Sequence, residues 1–156
     1  MLEIEIPGCK KLRAAFLVTD YNGTLACDGR LIEGVAPLLC AVAAILEVHV
    51  VTADTFGIAA ENLRSLPVKL SLLPAGGQDK RKARYVQQLG AGKTIGLGNG
   101  RNDRLMLKAA VLGICVIQGE GSSVQTLQAA DVVCGSAVDA LNLLLNPQRL
   151  VATLRR

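Results

Sequence analysis

The residues best suited to chemistry begin at Asp20, directly after an apolar run. Residues two apart in an extended chain point to the same side, so Asp20 and Asn22 can face one ligand. A turn through Gly23 would bring backbone N–H groups toward a phosphate. An Asn-Gly pair between apolar runs is also typical of a plain hairpin turn. This segment alone therefore leaves a carboxylate-based phosphate site and an ordinary turn both open.

A second polar segment, GNGRND at 98–103, precedes a predicted helix. Asn99 and Asp103 are four residues apart at the helix start, so their side chains converge with the free N–H groups of the first turn. That arrangement suits a cation together with an anion. A helix cap would need only one such residue, so the pair favours a ligand site.

Two glycine-rich segments resemble nucleotide-binding motifs incompletely. GAGKT at 90–94 resembles the end of a P-loop, but the first glycine of that motif falls at Gln87 and the segment precedes a strand. GLGNG at 96–100 lies between a predicted strand and helix, with Glu120 about twenty residues on, but Arg101 replaces the third glycine of the dinucleotide motif. A nucleotide-binding Rossmann domain remains the alternative that this second segment supports.

Six short apolar runs must position these residues, and most lack a polar face, as strands buried in parallel sheets do. The predicted strands are 14–19, 48–51, 68–73, 94–97, 112–117 and 131–133. The predicted helices are 34–46, 55–64, 78–89, 102–110, 122–129 and 136–145. Capping residues at Asp54, Ser122 and Ser136 support three of the helix starts.

The alternation of strands and helices is typical of βαβ units. It predicts an α/β fold of three layers with a doubly wound, mostly parallel sheet. Asp-Gly between apolar residues adds a short hairpin flap over 26–32 after the first strand. Such sheets bind ligands at the carboxyl ends of their strands, where both polar segments lie, together with Thr52 and the segment 76–82.

Length, charge and cysteine content limit the classes of protein to which the chain can belong. The chain has 156 residues, 51% of them hydrophobic, which predicts a single domain over 1–156 with a sizeable core. The net charge of +4 and one basic run at 80–84, without interleaved aromatic residues, favour a solvated helix face over a nucleic-acid surface. Five scattered cysteines without a C-x-x-C pair argue against a disulfide framework or a zinc site.

The longest uncharged stretch, 35–46, is interrupted by Pro37 and is too short for a membrane span of ~20 residues. The first residues are acidic where a secretory leader would be basic. We therefore expect a cytoplasmic protein with no membrane partner.

Taken together, the polar segments resemble the motifs of the haloacid dehalogenase (HAD) superfamily, especially its soluble phosphatases related to the phosphorylation domain of P-type ATPases. Its D-x-D-G-T-L motif is matched by DYNGTL at 20–25, and its Thr or Ser after strand two by Thr52. Its GDGxND motif is matched by GNGRND at 98–103. The likeness runs from about residue 14 to residue 131.

The resemblance implies a Mg²⁺-dependent phosphatase in which Asp20 is the nucleophile and becomes an aspartyl-phosphate. For the motif lysine, the spacing favours Lys82, whereas the Asp-Lys pair ending at Lys80 resembles the ATPase form. The implied phosphate contacts are Gly23, Thr24, Thr52, Ala53 and Asn102. The implied Mg²⁺ ligands are Asp20, the backbone carbonyl of Asn22, and Asn99 or Asp103.

At two positions this chain has Asn where the motifs of the family have Asp. Asn22 stands where the family has a general acid/base, and an amide cannot exchange a proton at neutral pH, so we expect slow turnover. Asn99 stands where a carboxylate commonly binds the metal. A phosphate-binding or regulatory pseudoenzyme is therefore the alternative to an enzyme.

No insertion is long enough for a large cap domain, so the resemblance implies an open site. We expect a phosphorylated small molecule or a larger phospho-substrate, and no nucleic-acid partner. Members without a cap often use a neighbouring subunit as a lid, so a homo-oligomer is expected. The resemblance does not extend to ATP-driven transport, because membrane helices are missing.

Overall fold

Residues 1–54 and 57–156 are described by the computed structural model of the chain. Its strands are β1 Leu2–Ile6, β2 Lys10–Ala14, β3 Phe16–Thr19, β4 Ala26–Cys27, β5 Arg30–Leu31, β6 Glu47–Thr52, β7 Val68–Leu72, β8 Thr94–Gly98, β9 Leu112–Val116 and β10 Val132–Cys134. Its α-helices are α1 Val35–Ala43, α2 Ala59–Leu63, α3 Gln78–Leu89, α4 Arg104–Ala109, α5 Val124–Ala129, α6 Ala137–Leu145 and α7 Pro147–Leu154. Short 3₁₀ helices cover Ala91–Lys93 and Arg101–Asp103.

Six strands form a central parallel sheet in the order β10-β9-β8-β3-β6-β7. Alternate residues of the buried strands point to opposite faces. Leu17 packs in the core shared with α1, α6 and α7, whereas Val18 packs toward α3, α4 and α5. The predicted α/β fold with three layers is therefore confirmed. Among the described residues, none of the helices combines the length and the apolar character needed to cross a lipid bilayer.

Most predicted helices are confirmed, and α3 matches its predicted range. The helix predicted over 102–110 begins as a 3₁₀ turn and becomes α-helical at Arg104. The helix predicted over 55–64 is observed as α2, while positions 55 and 56 lie outside the described residues. Asp54 still serves this helix, because its Oδ1 accepts a hydrogen bond from the Ala59 N–H at 3.0 Å. Ser136 caps α6 as predicted.

The cap predicted at Ser122 is wrong. Ser123 occupies the N-cap position of α5 instead. The Ser122 hydroxyl donates to the Asn99 carbonyl at 3.0 Å. Ser122 therefore stabilises the loop after β8 instead of capping a helix.

Two elements at the chain ends were not predicted. β1 and β2 form an antiparallel hairpin whose apolar residues alternate with exposed Glu3 and Glu5, the pattern of a half-buried strand. The strand predicted over 14–19 consequently starts later, at Phe16, because Ala14 ends β2. The other element, α7, contacts α6 and β1.

The predicted hairpin flap is formed by β4 and β5. Asp28 and Gly29 both have positive φ, 50° and 77°, as a two-residue type I′ turn requires. The buried Tyr21 anchors the flap, because its hydroxyl donates to the Gly29 carbonyl at 3.0 Å and accepts from the Asn62 amide at 2.8 Å. The flap is thus fixed to the turn that follows β3.

Candidate active site

The site lies in the crevice where the winding of the sheet reverses. After β3 the chain proceeds to β6 and β7 on one side, then crosses to β8 on the other. Ligands bind doubly wound sheets at such a reversal, beyond the carboxyl ends of the strands. Asp20 follows β3 and Asn99 follows β8. The Asp20 N–H donates to the Leu97 carbonyl at 3.0 Å, so the two strand ends are held side by side.

A buried lysine joins two carboxylates in this crevice. The Nζ of Lys82, on α3, lies 2.9 Å from Asp20 Oδ1 and 2.6 Å from Asp103 Oδ1. The side chains of Lys82 and Asp103 are 1% and 0% exposed, and that of Asp20 is 10% exposed. Charged pairs are rarely buried this completely without additional hydrogen bonds. The cluster therefore places one accessible carboxylate beside a buried cation.

Burial and the neighbouring charges together shift the pKa values of Asp20 and Lys82. Burial raises the pKa of the Asp20 carboxyl to about 7, and the negative charge of Asp103 adds to the rise, while Lys82 opposes it. Burial lowers the pKa of Lys82, but the charges of Asp103 and Asp20 more than offset this, so its pKa is raised. Lys82 is thus an ammonium at neutral pH, and Asp20 exchanges its proton near neutrality.

Lys80, the other lysine considered for this position, is exposed on α3 and forms no ion pair with the described residues. Residues two apart on a helix do not share a face. Only Lys82 of the two is brought to Asp20.

Lys82→Met is expected to lower the free energy of unfolding by about 3–5 kcal/mol, because it leaves two buried carboxylates without their cation. Lys80→Met is the matched control and should change stability by less than about 0.5 kcal/mol, since Lys80 is exposed. Urea denaturation of both variants measures the difference. Equal stability of the two variants would contradict the role of Lys82 as the cation that balances the two buried carboxylates.

Asp103 also holds the loop after β8. Its Oδ2 accepts hydrogen bonds from the N–H groups of Asn99 and Gly100 at 3.0 and 2.9 Å. A Cβ at Gly98 would lie 2.6 Å from the Asp103 side chain, so only glycine fits there. Both Asp103 oxygens thus accept hydrogen bonds within the protein, and its place as a metal ligand stays a prediction.

Asn99 links the two motif loops to each other. Its Oδ1 accepts from the Thr24 hydroxyl at 3.0 Å, and its Nδ2 donates to the Gly121 carbonyl at 3.0 Å. A Cβ at Gly23, where φ is +78°, would lie 2.4 Å from Asn99 Nδ2. Both polar atoms of the Asn99 amide therefore have a partner within the protein, and its place as a metal ligand stays a prediction.

Asn99→Asp is expected to lower the free energy of unfolding in EDTA by about 1–3 kcal/mol, because a carboxylate oxygen would face the Gly121 carbonyl and leave it without a donor. Asn146→Asp is the matched control. The Asn146 amide also donates to a carbonyl, but it is exposed and water can replace it, so its effect should stay within about 0.5 kcal/mol. A stable Asn99→Asp variant in thermal or urea unfolding would show that this bond is dispensable.

A cavity of about 160 Å³ opens beside Asp20. It is lined by Asp20, Asn22, Thr52, Ala53, Gln78, Asn99, Gly100 and Asn102. Both polar atoms of the Asn22 amide are buried and have no hydrogen-bond partner among the described residues. An unpaired buried amide costs about 1–3 kcal/mol, so the cavity has the chemistry of a site for a polar ligand.

Of the other predicted phosphate contacts, three line the cavity and two lie in the turn after β3. Thr52 and Ala53 line the cavity at the end of β6, and Asn102 lines it from the opposite loop. The N–H of Gly23 donates to the Ala26 carbonyl at 2.7 Å, and the N–H of Thr24 donates to the Tyr21 carbonyl at 3.2 Å. These two N–H groups are therefore engaged in closing the turn after β3, and contact of Gly23 and Thr24 with a phosphate stays a prediction.

Two glutamines at the site were not identified from the sequence. The Oε1 of Gln78, at the start of α3, accepts from the Asn102 amide at 2.7 Å. Gln118 donates to the Gly23 and Thr24 carbonyls, and its Oε1 accepts from the Ala137 N–H. No local pattern marks Gln118, whereas Gln78 lies in the polar segment expected at the sheet edge.

Comparison by sequence finds a relative for part of the chain. No protein-family model matches the chain. A segment of 63 residues is 54% identical to the uncharacterized protein MJ0073 of Methanocaldococcus jannaschii, covering 40% of this chain and 68% of that protein.

Comparison by structure gives the fold. The cobalt-bound deoxy-D-mannose-octulosonate 8-phosphate phosphatase of Haemophilus influenzae superposes with a TM-score of 0.71 at 16% identity, covering 92% of this chain and 94% of that one. The corresponding phosphatase of Moraxella catarrhalis, in complex with magnesium ion, phosphate ion and KDO, gives a TM-score of 0.66 at 18% identity, covering 91% and 94%. A zinc-transporting PIB-type ATPase gives 0.59 at 21% identity over 80% of this chain, but only 20% of the ATPase.

Proposed function

We propose that this chain, which belongs to the same family as MJ0073 of Methanocaldococcus jannaschii and has the HAD fold, is a Mg²⁺-dependent phosphatase of phosphate monoesters. The observation that carries the proposal is the Asp20–Lys82–Asp103 cluster at the reversal of the sheet. It presents one carboxylate to a polar cavity and supplies the cation that a phosphoryl group needs beside it.

The residues present fit a magnesium ion held mainly by Asp20. Among the described residues, no cluster of three or more acidic, His or Cys side chains is arranged to hold a metal. Mg²⁺ is usually bound through one or two carboxylates, with substrate phosphate and water completing its shell. The Asp20 carboxylate and the backbone carbonyl of Asn22 would hold the ion at the cavity that contains the unpaired Asn22 amide. When bound, the ion neutralises charge on the transferring phosphoryl group.

In the proposed reaction, a carboxylate oxygen of Asp20 attacks phosphorus. A P–O bond to Asp20 forms while the P–O bond to the leaving alcohol breaks, and the leaving oxygen takes a proton from water. Lys82 holds Asp20 Oδ1 and offsets the charge that accumulates between carboxylate and phosphate. Thr52 and Asn102 line the cavity where the phosphoryl oxygens would lie. Water then cleaves the aspartyl-phosphate, which restores Asp20 and releases inorganic phosphate.

Asn22 makes this cycle slow. The amide can donate a hydrogen bond to the leaving oxygen, but it cannot transfer a proton or activate water as a base. General acid–base help of about 10²–10⁴-fold is therefore missing.

Release of inorganic phosphate from an aryl phosphate tests the function. We expect release in Mg²⁺ that falls to the uncatalysed rate in excess EDTA and returns on adding Mg²⁺. Thermal unfolding in both buffers controls for loss of the fold. Release that is independent of the metal, or none above the uncatalysed rate, would contradict the proposal.

A second candidate is a phosphate-binding protein with little turnover. The observation that favours it is that the side chain beside Asp20 in the cavity is the Asn22 amide, which cannot transfer a proton to the leaving group. Saturable binding of inorganic phosphate in Mg²⁺, together with no phosphate release from any monoester, would select this candidate over the enzyme.

A further inference from the structure

A larger cavity adjoins the site. It has a volume of about 400 Å³ and is lined by Gly76, Gly77, Gln78, Asp79, Arg101, Asn102 and Arg104. Gln78 and Asn102 also line the 160 Å³ cavity, and the hydrogen bond between them at 2.7 Å forms the boundary between the two spaces. A group bound at Asp20 therefore has this second cavity as its neighbour.

The two volumes suit the two parts of a phosphate monoester. Water occupies about 30 Å³ in the liquid, so 160 Å³ accommodates a phosphoryl group and a hydrated ion and little more. Sites for small organic ligands are typically about 300–1,000 Å³, a range that includes the larger cavity. The alcohol part of a substrate would occupy the space beyond Gln78 and Asn102.

The charge of the larger cavity is positive and incompletely balanced. Arg104 lies 3.5 Å from Asp79, which offsets its charge. Arg101 is exposed and forms no ion pair with a carboxylate of the described residues. It lines the larger cavity and directly precedes Asn102, which lines both cavities. Guanidinium groups bind carboxylates and phosphates through paired hydrogen bonds.

We propose that the adjoining cavity selects substrates that carry a second anionic group, a carboxylate or a second phosphate, on the alcohol part, and that Arg101 binds this group. The inference rests on the proposed function, because it takes the phosphate of the substrate to lie at Asp20. It names the substrate class as small organic phosphates with two anionic ends.

Non-hydrolysable phosphonates test this without turnover. Calorimetry on the wild type in Mg²⁺ compares butylphosphonate with 4-phosphonobutyrate, which adds a carboxylate, and with butane-1,4-diyl bisphosphonate, which adds a second phosphonate. We expect at least one added anion to tighten binding by about 10–100-fold, the range for a hydrogen bond to a charged group. The ligand with the larger gain identifies the second anion.

Arg101→Gln should remove that gain while leaving the affinity for butylphosphonate within about twofold. Arg149→Gln, which removes an exposed arginine on α7, is the matched control and should keep the gain. Equal binding of the three phosphonates, binding of none, or a gain that survives Arg101→Gln would overturn the inference. A failure to hydrolyse aryl phosphates would overturn the proposed function without changing these binding constants, so the two failures are distinguishable.

Discussion

Asn22→Asp is expected to raise phosphate release from an aryl phosphate by about 10²–10⁴-fold, the usual contribution of a general acid–base group. Asn22 lies two residues after Asp20 and lines the same cavity. A carboxyl group there would protonate the leaving oxygen and then activate water against the aspartyl-phosphate. The polar atoms of the Asn22 amide have no hydrogen-bond partner among the described residues, so the substitution breaks no hydrogen bond that the structure shows.

Asn102→Asp is the matched control for this gain. It adds the same carboxylate to the same cavity, but from the loop after β8 rather than beside the nucleophile. Gln78, its present partner, can donate to the new carboxylate by turning its amide. We expect no increase in turnover. An Asn22→Asp rate that stays at the wild-type value in a folded protein, or an equal gain in both variants, would contradict the position assigned to Asn22.

Asp20→Asn is expected to reduce phosphate release to the uncatalysed rate. The amide is a far weaker nucleophile than a carboxylate, and the substitution removes the one acidic side chain that lines the cavity among the described residues. Asp28→Asn, an exposed change in the flap turn, should leave the rate unaltered. Activity that survives Asp20→Asn would have to arise elsewhere and would refute the assigned nucleophile.

Stability measurements separate lost chemistry from lost folding in this variant. Folding raises the pKa of Asp20 from 3.8 to about 7, since burial and Asp103 outweigh Lys82. The folded chain then retains a proton that the unfolded chain releases, so the free energy of unfolding falls as pH rises from about 4 to 7. In the Asp20→Asn variant this decrease of the free energy of unfolding with pH should be absent. Above pH 7 in EDTA the variant should be more stable than the wild type, by on the order of a few kcal/mol.

The opposite order of stabilities would contradict this assignment. A variant less stable than the wild type at every pH would mean that the attraction of the Asp20 carboxylate to Lys82 exceeds the cost of burying that carboxylate beside Asp103. Chemical denaturation at several pH values in EDTA measures both curves.

The fold was predictable where strands are buried on both faces. The runs around Val50, Leu97 and Ile114 have no polar side, and only a parallel sheet covered by helices accommodates several such strands. The hairpin of β1 and β2 was missed although Leu2, Ile4 and Ile6 alternate with polar residues, because alternation alone does not say what the strand packs against. The packing of α7 against β1 is known only from the structure.

The site was predictable as far as local motifs reach. Asp20 and Asp103 were candidates from the motifs, and Lys82 was favoured over Lys80. The structure brings the side chains of these three residues, without Lys80, together. What the spacing could not indicate is which hydrogen bonds are already taken. The bond from Asn99 to Gly121 joins parts of the chain 22 residues apart, and the one from Thr24 to Asn99 joins parts 75 residues apart. Such contacts depend on packing and leave no pattern in the sequence.

The central claim is that the Asp20 carboxylate accepts a phosphoryl group, and the most direct measurement is the mass of the protein after reaction. Wild-type protein incubated with Mg²⁺ and an aryl phosphate is quenched in acid, and its intact mass and peptides are determined. Slow hydrolysis predicts that one phosphoryl group accumulates on Asp20, is removed by hydroxylamine, and is absent from Asp20→Asn. No added phosphoryl group in protein that releases phosphate, or a phosphoryl group on another residue, would contradict the account.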